Sequence, residues 1–254
     1  MTEQRNKLKC LTGTDLKVLA MVCMFLDHAG WTVAFGAAGM EWLTCVGRIA
    51  FPLFAFMIAQ GYCHTGNFKR YLGRMFLFAL VSEIPFNLMT GGSVLNPFHQ
   101  NVMFTFCLAL LLLRAVDKAW ERHWWEGLLV AVFGGCVGYG VGMLTMVDYN
   151  GAGILTVLAF WLARKVPRFG WAVQLAALEW INLELLGGMS YIVEVGGGEI
   201  WVPQQIFALL ALIPIWMYNG QRGPGGKTWK YAVYIFYPAH ILILSLLSMA
   251  GVSL

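Results

Sequence analysis

Charged side chains are scarce in this sequence. Only 12% of its 254 residues are Asp, Glu, Lys or Arg, while 59% are hydrophobic; an ordinary soluble domain carries roughly 25% charged residues. A water-soluble fold of this size has too little polar surface to cover so much apolar area, which excludes a soluble enzyme or binding module. The six cysteines (Cys10, Cys23, Cys45, Cys63, Cys107, Cys136) include no C-x-x-C pair and no metal-ligand spacing. A structural metal site is therefore not expected, and the cysteines are read as small buried hydrophobes. No small-residue cleavage site follows the first apolar run, so that run is expected to remain as a helix rather than act as a signal peptide. Internal repeats, low-complexity tracts and room for a separate soluble domain are also missing, so residues 1–254 are expected to form a single membrane domain.

What the sequence does have is long apolar runs. They centre on residues 16–35, 42–63, 71–90, 100–116, 124–143, 151–164, 169–187, 200–218 and 231–252, each about the length that a bilayer core demands. Runs of this length indicate helices, because barrel strands would show alternation over about ten residues. The expected fold is an all-α, polytopic membrane bundle of about nine transmembrane helices.

The charges, though few, are ordered. The chain carries a formal net charge of +4, but placement matters more than the sum, and no nucleic-acid partner is expected. Arg5, Lys7, Lys9 and Lys17 precede the first run; Lys69, Arg70 and Arg74 follow the second; Arg114, Lys118 and Arg122 follow the fourth. Arg164, Lys165 and Arg168 follow the sixth, and Arg222, Lys227 and Lys230 follow the eighth. Sixteen of the seventeen basic residues thus lie on alternate connections. The positive-inside rule then predicts a cytoplasmic N-terminus and, with nine spans, an external C-terminus. The other connections carry Glu41, Asp148, Glu194 and Glu199, and Arg48 alone breaks the pattern. The Gly-rich stretch 219–227 lacks the preceding strand and the spacing of a phosphate-binding loop, and is read as a cytoplasmic connection.

Ionisable groups at membrane depth are costly, so each is a candidate functional residue. Asp27 and His28 fall past the middle of the first helix, and Arg48 one or two turns into the second. Glu83 with Asn87, and Asn101 with Thr105, are pairs one turn apart at the same expected depth on the third and fourth helices. Four consecutive helices therefore aim polar groups at one outer layer. A purely structural network, with Arg48 paired to Asp27 or Glu83, would account for the layer. An imidazole beside a carboxylate favours a general base. At the opposite end, Gln60 and His64, Arg70 and Arg74, with Arg222 and Lys227, form a basic mouth suited to phosphates, unless these cations only anchor the topology. His240, within Tyr237-Pro238-Ala239-His240, is a further histidine at membrane depth. Pro52 and Pro238 are expected to kink their helices.

The run Leu16–Trp31 with its Asp27-His28 pair, then Gly47-Arg48 with Pro52, Gln60-Gly61, His64-Thr65, Tyr71-Leu72, Tyr218-Asn219-Gly220 and Tyr237–His240, resembles the TraX family. That resemblance spans the chain from the first helix to the last. It implies a multi-pass protein of the bacterial cytoplasmic membrane that acetylates the N-terminus of pilin, with acetyl-CoA as donor and no metal. The Asp-His-x-x-Trp pattern is more remotely similar to transmembrane acyltransferases that modify sugars, in which a membrane-embedded histidine serves acyl transfer. The matching residue is His28, with Asp27 as its partner and Arg48 or Asn101 steadying the oxyanion. The acceptor layer would comprise Glu83, Asn87, Asn101, Thr105 and His240, and the acceptor itself is a peptide or pilin N-terminus or a carbohydrate. Direct transfer and a transient acetyl-histidine are both open, as is the choice between His28 and His240. A secondary transporter and a non-catalytic assembly factor are the competing classes.

Overall fold

The structure is a computed structural model and describes residues 9–253; Arg5 and Lys7, two of the expected anchoring cations, lie outside the described residues. Each of the nine apolar runs corresponds to helical structure. α1 spans Gly13–Trp31. The second run is divided into α2 (Trp42–Gly47) and α3 (Ala50–His64), with Arg48 and Ile49 between them. There follow α4 (Phe68–Gly91), α5 (Val102–Arg122), α6 (Trp124–Leu144) and α7 (Asn150–Ala163). α8 (Gly170–Trp180) continues as a π-helical segment, Ile181–Leu186. A 3₁₀ segment, Gln204–Ala211, leads into the short α9 (Leu212–Trp216), and α10 (Lys227–Met249) closes the bundle.

Local chemistry sets several helix starts. Thr12 and Asp15 form a reciprocal capping box at the head of α1. The Asn67 side chain accepts from the Arg70 amide (2.9 Å), and that of Asn101 accepts from the Met103 amide (3.1 Å), capping α4 and α5. Pro52 does not kink a helix: it lies in the first turn of α3, where its missing N–H removes no bond. The interruption of the second run comes just before it, at Arg48.

Four segments among the described residues are long and apolar enough to cross a membrane: Trp42–His64, Phe68–Gly91, Trp124–Leu144 and Tyr231–Met249. The count of about nine spans and the direction in which the termini face are not shown by these segments. The reason lies in the other helices. α1 carries Asp15, Lys17 and Asp27 within its length, the second half of α5 is rich in charge, and Asn150–Ala163 and Gln204–Trp216 are too short. The result is a predominantly helical membrane bundle.

One departure from the all-α expectation is an antiparallel hairpin, β1 (Ser190–Val195) with β2 (Gly198–Pro203). Gly196 and Gly197 form its turn with φ of 62° and 83°, the positive values that a tight two-residue hairpin requires. Residues 200–203, expected to begin a helix, are strand instead. Gln204 holds the hairpin to the bundle, its amide donating to the Thr44 hydroxyl (2.6 Å) and to the Tyr191 hydroxyl (3.1 Å).

α7 is the most enclosed helix, packed among α3, α5, α6 and α8, with Ile154, Val157, Phe160 and Trp161 buried. Close approach of α6 depends on glycine: a Cβ on Gly142 would lie 2.6 Å from the Gly151 Cα. In lipid, where apolar side chains gain little by leaving the tails, such backbone contact is a main source of helix association. The opposite face of α6 displays Leu129, Val132 and Phe133 outward. Among the cysteines, Cys23 and Cys107 are buried as expected, but Cys10, Cys63 and Cys136 are exposed, which corrects the reading of all six as core residues.

The bundle has two distinct ends. At one, the loop after α9 clasps the start of α1: Leu11 N–H donates to Met217 O (3.0 Å), Gly13 N–H to Gln221 O (2.8 Å) and the Thr14 hydroxyl to Pro224 O (2.6 Å). At the other, Gln100 and Val147 are bridged and the hairpin meets α2.

Candidate functional site

Asp27 and Arg48 meet as the sequence predicted, forming a nearly enclosed ion pair. Gly47 makes this possible, because any side chain there would occupy the space of the Asp27 carboxylate. Arg48 Nε also donates to Thr44 O (3.2 Å). The helix break at Arg48 lets this guanidinium turn back towards both groups.

His28 is not oriented by Asp27. Neighbouring positions on a helix point in different directions, and the partner of His28 comes from the last helix instead. His28 Nδ1 lies 2.7 Å from His240 Nε2, with the two rings within 7° of parallel. His240 Nδ1 is 2.6 Å from Phe236 O, a bond in which the carbonyl can only accept. In the neutral pair the proton assignment then follows from the geometry. His240 carries its proton on Nδ1 and accepts on Nε2, His28 must donate from Nδ1, and the lone pair of His28 Nε2 is left as the base. Nothing in the order of residues signals that α1 and α10 are adjacent.

The remaining outer-layer residues form a separate group. Asn101 Nδ2 donates to Glu83 Oε2 (2.5 Å) and to Ala79 O (2.8 Å), while Asn87 Nδ2 donates to Val94 O (3.2 Å). The Thr105 hydroxyl donates to Asp148 O (2.6 Å). His99, a residue the sequence reading did not single out, faces the Asp148 carboxylate at 3.6 Å. Its hydrogen bond to Asp148 raises the imidazole pKa above the usual 6.5, against an opposing effect of burial. Glu83, Asn87, Asn101 and Thr105 are thus committed to holding α4, α5 and the loop before α7 together.

At the clasped end, a cavity of about 520 Å³ opens among α1, α3, α4 and α10. Gln60, His64, Arg74 and Arg222 line it, joined by Lys17 and Tyr71. Arg70 does not reach it and is exposed, and the side chain of Lys227 lies outside the described residues. Two buried donors in the wall, Arg74 Nε and Trp229 Nε1, have no hydrogen-bond partner among the described residues. Unpaired buried donors of this kind cost about 1–3 kcal/mol each unless a ligand or water satisfies them. Deeper in, the wall becomes apolar and reaches Met24, Phe106 and Tyr237. The Tyr237 ring centroid lies 6.4 Å from that of His28 and 6.1 Å from that of His240. The cavity therefore runs from a cationic mouth to the Tyr237 ring, and the histidine pair stands on the far side of that ring, outside the lining. Among the described residues, no group of three or more His, Cys, Asp or Glu side chains is arranged to hold a metal ion.

The family model described as "TraX protein" matches residues 12–248. A relative from Dichelobacter nodosus, named "Probable fimbrial assembly protein FimC, serogroup H1", is 26% identical, the match covering 91% of this chain and 93% of that one. No solved structure matches the chain.

Proposed function

This chain belongs to the TraX family, and from that premise we propose that it is an acetyltransferase of the bacterial inner membrane. It moves an acetyl group from cytosolic acetyl-CoA to an acceptor amine or hydroxyl at the outer side. The proposal includes the finer topology: nine membrane crossings, several of them short or polar, with the N-terminus in the cytoplasm and residues 1–254 as one domain. The basic clusters on alternate connections support it. The fimbrial assembly role in the name of the relative favours a pilin-type peptide N-terminus over a sugar as acceptor.

The observation that carries the reading is the cavity, which extends from a cationic, donor-rich mouth to the Tyr237 ring, itself packed beside both histidines. In this scheme Lys17, Arg74 and Arg222 hold the phosphate-bearing end of the donor, and the pantetheine arm lies along the apolar wall towards Tyr237. His28 Nε2 takes the proton from the acceptor as its nitrogen or oxygen attacks the thioester carbonyl. The new bond to the acetyl carbon forms, the C–S bond breaks, and the thiolate leaves with the proton from His28. His240 fixes the tautomer that makes Nε2 the base. Arg48 and Asn101, proposed from sequence as oxyanion donors, are engaged with Asp27 and Glu83 respectively, so their support for the reaction is through position.

The test is acetyl-CoA binding by calorimetry and thiol release by the purified protein in detergent. His28→Ala should bind as the wild type does and release no thiol above background. His240→Gln should keep binding and lower release by about 10²-fold, the scale of general-base catalysis. A folded wild type that binds no acetyl-CoA, or a His28→Ala protein that still turns over, defeats the reading.

A further inference from the structure

Beside the mouth of the main cavity lies a second one of about 430 Å³ that the reaction scheme above does not use. Arg114 from α5 and Arg164 and Lys165 from the end of α7 converge on it, with Tyr62, Asp117 and Trp161 completing most of the wall. Three cations thus surround a space holding one carboxylate, and that carboxylate is already bound. Asp117 accepts from the Tyr62 hydroxyl (2.9 Å) and faces Lys165 Nζ at 3.7 Å. The lysine is further pinned by aromatic rings, its Nζ standing 4.5 Å from the Trp161 ring centroid and 5.3 Å from that of Trp120. Ordering of this kind is not needed by a residue that only marks the inner face of a membrane. It lowers the entropy lost when a ligand is held.

The two cavities are neighbours. Thr65 lines both, and Arg164 donates to the side chain of Gln60, which lines the first. We propose that the second cavity is a phosphate site, with Arg114, Arg164 and Lys165 as its ligands. Resting on the donor reading above, it takes the ribose 3′-phosphate of coenzyme A, while the diphosphate stays with Lys17, Arg74 and Arg222 and the pantetheine arm occupies the first cavity. The shared chemistry, a phosphate ester near the membrane surface, would also suit the headgroup of an anionic lipid. Adjacency to the first cavity favours the nucleotide source. Arginine forks and a fixed ammonium are the side chains that phosphate oxygens pair with best.

The experiment is calorimetry on the full chain in neutral detergent, with coenzyme A, inorganic pyrophosphate and pantetheine, which has no phosphate, as probes. In Arg164→Gln/Lys165→Gln, coenzyme A affinity is expected to fall ~30-fold while pantetheine binds as before. Arg168→Gln removes an exposed cation at the same end but outside the cavity, and should match the wild type. Thermal unfolding of each variant checks that it is folded. If the folded double variant binds coenzyme A and pyrophosphate as tightly as the wild type, the phosphate site is overturned and the donor reading stands. If the wild type binds neither coenzyme A nor pantetheine, the donor reading falls instead. Pyrophosphate and nanodiscs then decide the site. Pyrophosphate binding, or stabilisation by phosphatidylglycerol over phosphatidylcholine discs, lost in the double variant upholds it. The absence of both effects overturns it.

Discussion

The polar groups of the outer level and those at the clasped end solve the same problem in opposite ways. Asp27 faces Arg48, His28 faces His240, and Asn101 faces Glu83, each pair joining neighbouring helices, and the atoms left over there, Glu83 Oε1 and Asn87 Oδ1, are acceptors rather than donors. Around the cavity, Arg74 Nε and Trp229 Nε1 are buried with no partner among the described residues, beside Lys17 and Arg222. Self-pairing is what a low-dielectric bundle needs in order to stay folded. Donors left open around a space are what it needs in order to bind. Substitutions at the first level should therefore register as stability and at the second as affinity.

The sharpest way to break that distinction is Arg48→Ala. Removing one member of a buried ion pair strands the other, and a loss of about 3–5 kcal/mol is expected, read as a large fall in unfolding temperature in detergent. Replacing both Asp27 and Arg48 by leucine should recover most of the loss, because no charge is then left unpaired. Donor binding by that double variant should match the wild type; if it drops, the outer pair belongs to the binding machinery after all. At the other level, Arg74→Gln is expected to unfold within about 1 °C of the wild type, because the loss of its contacts with Tyr234 and the Tyr71 ring is offset by removal of a buried, unpaired Nε donor. Its affinity for acetyl-CoA should fall about ten-fold. An unfolding shift without a change in affinity would reverse the assignment.

The smallest expected effect concerns His99. Its pKa is raised by Asp148, so the protonated form is favoured in the folded protein. The corresponding stability is fully present below the usual histidine value near 6.5 and is lost as pH rises through the raised one. Because His99 is partly exposed, unfolding temperature should drop by no more than ~2 °C between pH 6 and pH 8.5. His99→Gln should flatten that slope. A slope of the opposite sign would mean that burial outweighs the carboxylate.

How far the sequence disclosed this arrangement depends on the distance over which each signal acts. The nine apolar runs were legible because a helix is written in contiguous residues. Even so, Arg48 interrupts the second run, and α8 slides into a π-helical segment at Ile181. The Asp27–Arg48 pair could be anticipated from depth, since consecutive helices are usually neighbours. The hairpin has a local signal, Gly196-Gly197 between Tyr191-Ile192-Val193 and Ile200-Trp201-Val202, but its second strand lies inside an apolar run long enough to be read as helix. His28 and His240 could not be joined from sequence, because they are 212 residues apart and depth alone does not say which helices touch. The same limit explains Arg70, which follows the topology rule but points away from the cavity, and Trp229, which is in its wall without having carried any motif.

The clasp between residues 11–14 and 217–224 has a consequence for the birth of the protein. Thr14 meets residues 208 and 210 positions later in the chain, and His28 meets one 212 positions later. At the usual pace of about 5–20 residues per second, these partners emerge from the ribosome roughly ten to forty seconds apart. During that interval the first helix exists with its histidine unmated. The wall that Trp229, Tyr234 and Tyr237 will supply has not yet been made. Neither the full chamber nor the contact between His28 and His240 exists in a chain that stalls before α10, so both wait on the last helix.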